Sequence, residues 1–538
     1  MTISSALEKN ENCVSTAAFS GSNPLAAIAF DAAGIKAKLL NLEEPCHVVR
    51  FANQLGVTHT DPLRLGTVEP LMTVPPLQQL GDPSFLAWHG VKMAYAAGAM
   101  AGGIASEDLV IALGKAGILS SFGSGGLGRD LITAAIHRIQ DALPQGPYAF
   151  NLLHSPNDAA MERNTVELYL KHHIRTVEAS AFINLTPSLV YYRAAGLQLS
   201  PNQHINIQNK IIAKLSRREV ATQFLQPAPA TILKTLAIQG LISEQQAQLA
   251  AQVPMADDIT VEADSGGHTD NRPLVCLLPA ILALRDEIQT QYSYRTPVRI
   301  GVAGGISTPQ SALAALMMGA AYVVTGSVNQ SCLEAAASPH TKRLLAEAEM
   351  HDVIMAPAAD MFEMGVKLQV LKKGTLFPLR AQKLFDLYKT HNAIEDIPQV
   401  ERHRLEQQIF RRPLDEVWQE TQAYLVAHKP EKLAKAANNP KLKMALIFRW
   451  YLGLSSRWSK TGECDRIADY QIWCGPAMGA FNNWVKGTYL EAPDQRRVVD
   501  VAIHMMRGAA FLYRVNALKL QGLNMPAHYG QYRPIPPE

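Results

Sequence analysis

Short apolar runs alternate with amphipathic segments through the middle of the chain. Val298–Val302 is a short, mainly apolar run without alternation, which is typical of a strand buried on both faces. Thr308 and Pro309 then predict the cap and the first position of a helix, and Gly319 predicts its end. Tyr322–Thr325 is a second apolar run. The order is therefore strand, glycine loop, helix, strand, as in a parallel βα unit.

The same alternation extends backwards along the chain and yields eight candidate strands. Eight strands with intervening helices predict an α/β fold, a (β/α)8 TIM barrel. A doubly wound open sheet is the alternative, and it requires a Gly-x-Gly-x-x-Gly turn after its first strand, which Gly125–Gly128 matches only loosely. The candidate strands are Met93–Ala97, Ile118–Phe122, Tyr148–Leu153, Thr176–Glu178, Ile211–Leu215, Ile259–Ala263, Val298–Val302 and Tyr322–Thr325.

Three segments are predicted: an N-terminal region over 1–88, the barrel over 89–354 and a mostly helical C-terminal domain over 355–538. In the first, His47–Phe51 is a candidate strand, and several prolines predict an irregular connection to the barrel. In the last, strand signals fade, and Trp473-Cys474-Gly475-Pro476 is interpreted as a turn without a chemical role. The predicted helices of this domain are Phe377–His391, Val400–Gln408, Leu414–Ala427, Lys441–Leu454 and Arg496–Leu518.

Composition, net charge and cysteine spacing limit the classes of protein to which this chain can belong. The 538 residues are 48% hydrophobic and 18% charged, which are ordinary globular values. A formal net charge of +3 gives no argument for nucleic acid or for an anionic membrane as partner. The six cysteines form no Cys-x-x-Cys pair, which argues against a zinc site or a disulfide scaffold. With no signal-peptide pattern and no apolar stretch of membrane-spanning length, we expect a cytoplasmic protein.

Glycine-containing loops follow both of the last two predicted strands. Gly304 and Gly305 come after the first, and Gly326 and Ser327 come after the second. Such loops expose backbone N–H groups that suit a phosphate dianion, and TIM barrels often bind phosphate after strands seven and eight. Each loop alone would be an ordinary turn. Their occurrence on consecutive strands favours phosphate binding.

A glycine pair and a histidine follow the sixth predicted strand. Gly266 and Gly267 allow the backbone to approach a flat ligand closely. His268 would then lie at the mouth of the barrel, where an imidazole can act as an acid or a base near neutral pH. The alternative is a loop histidine that is merely hydrogen-bonded to Asp264 or Asp270.

Two polar residues lie near the ends of other predicted strands. Lys214 is costly to bury unless an anion pairs with it, and it would place positive charge beside a reduced cofactor ring. Asn151 would offer an amide to a cofactor heterocycle or to substrate. For Lys214 the alternative is a side chain that reaches solvent beyond its strand, and for Asn151 it is a purely structural amide.

The Gly-Gly-His, Ala-Gly-Gly-Ile and Thr-Gly-Ser segments, in this order, resemble the FMN-dependent barrels of the nitronate monooxygenase and FabK-type enoyl reductase superfamily. The chain is more closely similar to the PfaD family, the separate enoyl reductase subunit of polyunsaturated fatty acid synthases and the trans-acting polyketide enoyl reductases. It departs from nitronate monooxygenases by its N-terminal region and its large helical tail. The stretches that carry the closer resemblance are Asn151–Asn157, Val177–Phe182, Ala263–Asp270, Gly301–Ile306 and Met355–Phe362.

This resemblance implies an FMN-dependent enoyl reductase that uses NADPH and acts on a 2-enoyl thioester held by an acyl carrier protein domain of a multienzyme synthase. Hydride would pass from NADPH through the flavin to the β-carbon, and His268 would protonate the α-carbon. The helical tail is expected to govern substrate delivery and not flavin chemistry. The implied cofactor-binding residues are Gly98 and Ala99 along the ring, Asn151, Lys214, Gly266 and Gly267 around it, and Gly304, Gly305, Gly326 and Ser327 at the phosphate.

Three alternatives stay open. One is a nitronate monooxygenase-like flavin oxidase, in which His268 abstracts a proton and oxygen takes the electrons. Another is a phosphate-binding barrel enzyme without flavin, such as a sugar-phosphate isomerase. The third is a non-catalytic docking subunit of a synthase. The helical tail is the feature that supports this alternative. None of these interpretations involves a metal. All of them are compatible with a homodimer.

Overall fold

The computed structural model describes residues 24–66, 68–155, 159–523 and 525–536. The first 23 residues of the predicted N-terminal region, and Pro156 and Asn157 of a stretch quoted above, lie outside the described residues. Contacts group the chain into two compact units, residues 1–76 with 514–529 and residues 77–513 with 530–538. Residues 355–513 therefore belong to the same compact unit as the barrel strands.

The smaller unit contains an antiparallel sheet of order β2-β1-β3, formed by β1 (Cys46–Phe51), β2 (Gln54–Thr58) and β3 (Glu69–Val74). A two-residue turn joins β1 to β2, and both of its residues have a positive φ, as a tight hairpin requires. The predicted irregular connection is thus partly wrong, because β3 includes Pro70. As β3 is an edge strand, a residue without an N–H is tolerated there.

Arg514 stabilises this unit from its C-terminal segment. Its side chain is fully buried, and its guanidinium donates hydrogen bonds to the carbonyls of Leu39 and Asn41, at 3.3 and 2.7 Å, and of Glu44, at 2.5 Å. Helix α1 (Ala32–Leu40) ends beside these carbonyls. The arginine therefore satisfies acceptors that the end of a helix leaves without intrahelical partners.

The larger unit contains a closed parallel barrel, so the predicted TIM-barrel fold is confirmed and the open sheet is excluded. All eight predicted strands are present within a few residues of their predicted bounds. Buried apolar residues and parallel pairing explain why they lack alternation. The barrel strands are β4 (Tyr95–Ala97), β5 (Leu119–Phe122), β6 (Ala149–Leu153), β7 (Thr176–Ser180), β10 (Lys210–Leu215), β11 (Asp258–Glu262), β12 (Arg299–Ala303) and β13 (Val323–Thr325).

Two hairpins are added to this barrel. β8 (Leu197–Leu199) pairs with β9 (Ile205–Ile207), and β14 (Val353–Pro357) pairs with β15 (Lys367–Leu371). The expectation that strand structure fades beyond residue 352 is therefore wrong for the second hairpin. Isolated bridges join Gln369 to Gly267 and Val370 to Trp473. These long-range pairings stabilise the hairpin, and local periodicity does not report them.

Helices surround the barrel and make up most of the remainder of this unit. The cap predicted at Thr308 is present, since its side chain accepts the N–H of Ser311 and Pro309 opens the helix. The helices are α2 (Pro83–His89), α3 (Glu107–Lys115), α4 (Arg129–Ala142), α5 (Ala159–Lys171), α6 (Pro187–Ala195), α7 (Arg218–Leu225), α8 (Ala230–Ile238), α9 (Glu244–Ala250), α10 (Leu274–Tyr292), α11 (Pro309–Met317), α12 (Ser327–Gln330), α13 (Pro339–Ala346), α14 (Phe377–Thr390), α15 (Gln399–Leu405), α16 (Leu414–His428), α17 (Pro430–Ala437), α18 (Pro440–Thr461), α19 (Ala477–Val485) and α20 (Val498–Leu520), of which residues 514–520 are assigned to the smaller unit.

Aromatic and aliphatic side chains from β14, β15, α14, α16 and α18 form one hydrophobic core. Phe362, Phe448 and Tyr451 are fully buried in it. The Trp, Tyr and Leu residues that the sequence places at helical spacing in this region thus serve packing, which is their commonest use.

A buried ionic cluster lies at the N-terminal ends of the barrel strands. Asp258 opens β11 and accepts two hydrogen bonds from Arg299, at 2.6 and 3.0 Å, while the His89 Nε2 lies 2.8 Å away. Burial raises the pKa of Asp258, but His89 and Arg299 lower it more and hold it below its ordinary value. The carboxylate is therefore charged and fully paired, so this end of the barrel serves stability.

We expect Asp258→Ala to lower the free energy of unfolding by about 3–5 kcal/mol, because it leaves the guanidinium of Arg299 buried without its partner. Urea unfolding followed by circular dichroism measures the loss. Since the folded pKa lies below the unfolded one, this stabilisation is present above the ordinary aspartate pKa and is lost as the pH falls through the depressed value.

Asp286→Ala is the matched control, because the pair of Asp286 with Arg285 lies at the surface, with the aspartate side chain 68% exposed. Its effect should stay within about 0.5 kcal/mol. Equal losses in the two variants would show that the buried cluster does not stabilise the barrel as described.

Candidate active site

The structure brings every predicted site residue to one face of the barrel, where the C-terminal ends of the strands lie. This is the face on which TIM barrels carry their active sites. Asn151 is in β6 and Lys214 is in β10. The others follow strand ends: Gly98 and Ala99 after β4, Gly266, Gly267 and His268 after β11, Gly304 and Gly305 after β12, and Gly326 and Ser327 after β13.

The loops after β12 and β13 lie side by side, because the two strands pair directly through Val302 and Val323. Gly304 has a φ of +84°, and a Cβ on it would lie 2.6 Å from the carbonyl carbon of Ala263, so no side chain fits there. A Cβ on Gly305 or on Gly326 would meet no heavy atom within 4 Å. The two loops thus line an open space, which we call the glycine cradle (Gly304, Gly305, Gly326 and Ser327).

Unused hydrogen-bond donors surround the glycine cradle. The hydroxyl of Ser307 is buried and has no hydrogen-bond partner among the described residues. Within the same part of the chain, the backbone N–H groups of Gly305 and Gly326 donate no hydrogen bond. Because the Ser307 hydroxyl is buried, leaving it without a partner costs free energy unless a ligand supplies the acceptor, whereas the Gly305 backbone is exposed and open to a ligand. These groups fit the several acceptor oxygens of a phosphate, so the residues present suit a phosphate-bearing cofactor.

The loop that carries His268 is held by β15, a strand outside the barrel. Gly267 and Gln369 exchange two backbone hydrogen bonds of 2.9 and 2.7 Å. The side chain of Gln369 also donates to Asp264 Oδ1 and to the carbonyl of Ser265, both at 2.8 Å. Because Gln369 is only 6% exposed, these bonds are shielded from water, and they fix the loop immediately before the histidine.

The turn at Trp473–Gly475 packs directly on this loop. A Cβ on Gly266 would lie 2.9 Å from the Cα of Cys474, and a Cβ on Gly475 would lie 2.8 Å from the nitrogen of Gly266. The N–H of Gly475 also donates to the Ser327 hydroxyl at 3.1 Å. The tail thus forms part of the wall of the site. The sequence-based interpretation of this turn gave it no chemical role and did not predict the contact. The composition of a turn does not indicate a partner that lies some 200 residues away in the sequence.

His268 has a different partner from those that the sequence suggested. Its Nε2 lies 3.2 Å from Asp360 Oδ1, and its ring meets the Trp473 ring edge-on at 5.7 Å. Asp264 is bound by Gln369 and Asn271, and Asp270 by Ser216 and Arg217, and this explains why neither pairs with the histidine. The side chain of His268 is 33% exposed, so a ligand can reach it.

Lys214 is paired within the protein. Its Nζ lies 3.3 Å from Glu262 Oε1, which also accepts a hydrogen bond from the Ser265 hydroxyl at 3.0 Å. Burial lowers the pKa of Lys214, but the carboxylates of Glu262 and Glu178 raise it more, so the pKa lies above its ordinary value. The ammonium is therefore charged at neutral pH, and its side chain is only 20% exposed.

Glu178 lies on β7, the strand next to the one that carries Lys214, and sequence reasoning assigned it no role. It is 5% exposed, and its carboxylate accepts the N–H of Ala99 at 3.2 Å. Its carbonyl accepts a hydrogen bond from the Asn151 amide at 3.0 Å, and the same amide donates to the Ser180 hydroxyl at 2.9 Å. Both protons of that side-chain amide are thus used, which leaves the side-chain oxygen Oδ1 of Asn151 for a ligand.

Among the described residues, no group of three or more His, Cys, Asp or Glu side chains is placed to hold a metal ion. Within that same part of the chain, no helix combines the length and the apolar character that crossing a membrane requires. The residues that the structure brings together at this face are the glycine cradle, His268 with Asp360, and Lys214 between two carboxylates.

Comparison with known proteins agrees with this geometry. The family model described as nitronate monooxygenase matches residues 87–385, more than half of the chain and every residue of the candidate site except Trp473–Gly475. The chain belongs to the nitronate monooxygenase family. Residues 22–76 match the N-terminal domain of the fatty acid synthase subunit PfaD, and residues 391–470 match the inserted helical domain of [acyl-carrier-protein] S-malonyltransferase. The resemblance to the PfaD group is thereby confirmed.

The chain is also similar in sequence to proteins of polyunsaturated fatty acid synthesis and of polyketide biosynthesis. The chain is 49% identical over 496 residues to a polyunsaturated fatty acid synthase subunit of Thraustochytrium sp., covering 90% of this chain and 33% of that protein. It is 43% identical over 453 residues to the polyketide biosynthesis protein PksE of Bacillus subtilis, covering 84% of this chain and 58% of PksE. The chain therefore spans only about a third to somewhat over half of these relatives.

One solved structure is similar to this chain along the whole length of the solved domain. The enoyl reductase domain of MlnA, from the macrolactin biosynthesis cluster of Bacillus amyloliquefaciens, has a TM-score of 0.79 and 39% sequence identity. The match covers 83% of this chain and 100% of that domain. Most of this chain thus shares its fold with that enoyl reductase domain.

We expect Gly305→Asp to abolish retention of a phosphate-bearing cofactor, FMN in the sequence prediction, while the fold survives. The aspartate side chain would enter the open space of the glycine cradle and place a carboxylate where a phosphate would bind. Gel filtration followed by visible absorbance gives the flavin-to-protein ratio.

Gly240→Asp is the matched control, because Gly240 also has a positive φ, of +68°, and open space at its Cβ position, but lies between α8 and α9. It carries the same backbone strain and the same charge. A Gly305→Asp protein with the full flavin ratio would remove the phosphate assignment.

Proposed function

We propose that this chain is an FMN-dependent enoyl reductase that uses NADPH to reduce 2-enoyl thioesters on acyl carrier protein, in polyunsaturated fatty acid or polyketide biosynthesis. The observation that carries the proposal is the juxtaposition of the glycine cradle with the His268 loop, on three neighbouring strands β11, β12 and β13. It is supported by the 39% identity to the enoyl reductase domain of MlnA.

The residues that would hold the cofactor are those with unused donors. Gly305, Gly326 and the hydroxyls of Ser307 and Ser327 would bind the phosphate. Gly98 with Ala99, Asn151 and the Gly266–Gly267 pair would surround the ring. When bound, FMN would supply hydride transfer from NADPH to the β-carbon of the thioester.

His268 supplies the proton in this proposal. Hydride addition at the β-carbon of an enoyl thioester leaves negative charge at the α-carbon and the thioester oxygen, and a positioned acid removes that charge by protonating the α-carbon. His268 is exposed enough to reach a ligand and is fixed from two sides, by Asp360 and Trp473. These two properties are what a general acid needs.

Lys214 keeps positive charge at the same face. Because its pKa is raised, the ammonium stays protonated over the neutral range, and it can stabilise negative charge on a reduced ring. Glu262 and Glu178 balance that charge in the protein, so the lysine is not an isolated buried cation.

An acyl carrier protein domain is the proposed partner. Two observations support it: the likeness to synthase subunits, and the match of residues 391–470 to a helical domain of an acyl-carrier-protein transferase. We propose that residues 355–538 form the surface that receives this partner, beside a barrel over 89–354, in a cytoplasmic enzyme.

The family match also favours a second candidate, an oxidase of the nitronate monooxygenase type. In that reaction His268 would abstract a proton from a nitroalkane, and molecular oxygen would take the electrons. Oxygen consumption with a nitroalkane in the absence of NADPH would identify this activity.

The purified protein is expected to be yellow and to release FMN, not FAD, on denaturation. The glycine cradle offers donors for one phosphate, and the sequence has no adenosine-binding fingerprint. Chromatography of the released chromophore against both standards decides this. Released FAD, or a folded preparation without flavin, would contradict the proposal.

His268→Ala should keep its flavin and should still be bleached by NADPH at a near-normal rate. Its reoxidation by an enoyl thioester should slow by roughly a hundredfold or more, the usual scale for a positioned general acid. Anaerobic stopped-flow absorbance separates these two half-reactions.

His351→Ala is the control for loss of a histidine, since His351 is 81% exposed and lies on the surface beside Asp352. Its two half-reactions should match those of the unchanged protein. If His268→Ala were instead slow with NADPH and normal with the thioester, the histidine would serve nicotinamide binding and not proton transfer.

A further inference from the structure

The stretch Met355–Phe362 carries part of the family resemblance, and the proposed function uses its Asp360 only as a contact that holds His268 in place. It begins within β14 and contains Asp360, which lies 92 positions from His268 in the sequence and contacts it in the structure. We propose that Asp360 is a positioning residue that selects the tautomer of His268 and so makes Nδ1 the atom that exchanges a proton with substrate.

The carboxylate of Asp360 is itself held in place. Its Oδ1 accepts the N–H of Met361 at 3.1 Å, besides lying 3.2 Å from the His268 Nε2. The backbone bond fixes the rotamer of a short side chain. The backbone bond therefore orients the Asp360 carboxylate toward His268, although the aspartate side chain is 58% exposed.

The histidine is constrained from two further directions. The Trp473 ring stands edge-on to the imidazole, with an interplanar angle of 89°, and limits its rotation about the side-chain bonds. The preceding residue, Gly267, is bound to Gln369 through two backbone hydrogen bonds. With the backbone and one ring face fixed, the contact with Asp360 determines which ring nitrogen points away from the protein.

The charge of the Asp360 carboxyl group determines whether it accepts or donates the hydrogen bond with His268. Burial raises the pKa of Asp360, but the hydrogen bond and the charge of His268 lower it more, so the carboxyl group is ionised at neutral pH. An ionised carboxylate only accepts hydrogen bonds. The neutral imidazole must therefore carry its proton on Nε2, and Nδ1 is left with a lone pair.

The proton balance follows directly. Before transfer, the imidazolium holds protons on both nitrogens, with the Nε2–H donated to Asp360. The Nδ1–H bond breaks as the α-carbon–H bond forms, and the imidazole becomes neutral in the tautomer that Asp360 favours. Asp360 stays ionised throughout, as an orienting carboxylate does beside a catalytic histidine. This part rests on the proposed function, whereas the tautomer itself does not.

Asp360→Asn tests the tautomer without any turnover. An amide can donate as well as accept, so it no longer selects one form of the ring. NMR of protein with labelled histidine, in which the His268 signal is identified by its loss in His268→Gln, reports the tautomer of the neutral ring. We expect the Nε2–H form in the unchanged protein and a mixture, or the Nδ1–H form, in Asp360→Asn.

The same variant tests the catalytic consequence. Reoxidation by an enoyl thioester should slow by about tenfold, part of the roughly hundredfold or more that a positioned acid contributes, and bleaching by NADPH should be unchanged. Asp360→Glu keeps the charge and should recover most of that rate. Glu363→Gln is the control, because it removes a carboxylate that lies three residues after Asp360 and pairs with Arg449, and that makes no hydrogen bond or ion pair with His268 among the described residues.

The outcomes are separable from those of the proposed function. An unchanged tautomer in Asp360→Asn overturns the inference, whatever reaction the protein catalyses. A changed tautomer with an unchanged reoxidation rate also overturns the positioning role. A changed tautomer together with slower reoxidation, recovered in Asp360→Glu and absent in Glu363→Gln, supports it. If no thioester reoxidises the flavin in any variant, the proposed function fails while the tautomer result stands.

Discussion

The candidate site depends on one contact in which backbone packs against backbone. Gly266 lies so close to Cys474 and Gly475 that a Cβ on either glycine would overlap the other segment. Close approach of this kind requires glycine, because any side chain would separate the two segments. The contact brings the His268 loop, the hairpin β14–β15 and the turn at Trp473 together, although they are distant in the sequence.

Several properties of the site follow from this contact. Gln369 can then hold the loop through both its backbone and its side chain, and Trp473 can stand against the imidazole. Gly475 reaches the Ser327 hydroxyl and so contacts the glycine cradle. The barrel contributes the strands and the glycine loops, but segments outside it fix the orientation of His268. Such support from a rigid surrounding shell is what precise chemistry requires.

The sequence predicts what is decided locally. The eight barrel strands are short and mostly apolar, the cap at Thr308 needs only its own helix, and the loops after β12 and β13 are marked by their own glycines. The observed bounds of these elements lie close to the predicted ones. The stretches that carry the family resemblance also include Asp360, but they give it no role.

Long-range contacts explain what the sequence does not predict. The hairpin β14–β15 is stabilised by bridges to Gly267 and Trp473, and the partner of His268 is Asp360 in place of Asp264 or Asp270. Glu178 organises Ala99 and Asn151 from a neighbouring strand. No periodicity or spacing reports such pairs, since each depends on how distant segments pack at the mouth of the barrel.

Delivery of electrons from the flavin to an enoyl thioester is the central claim. An anaerobic titration of the unchanged protein tests this most directly: the flavin is reduced with one equivalent of NADPH, and a 2-enoyl thioester is then added in steps. We predict full return of the oxidised spectrum at one equivalent, with one saturated thioester formed per flavin. A flavin that stays reduced with thioester and is reoxidised only by oxygen would contradict the claim.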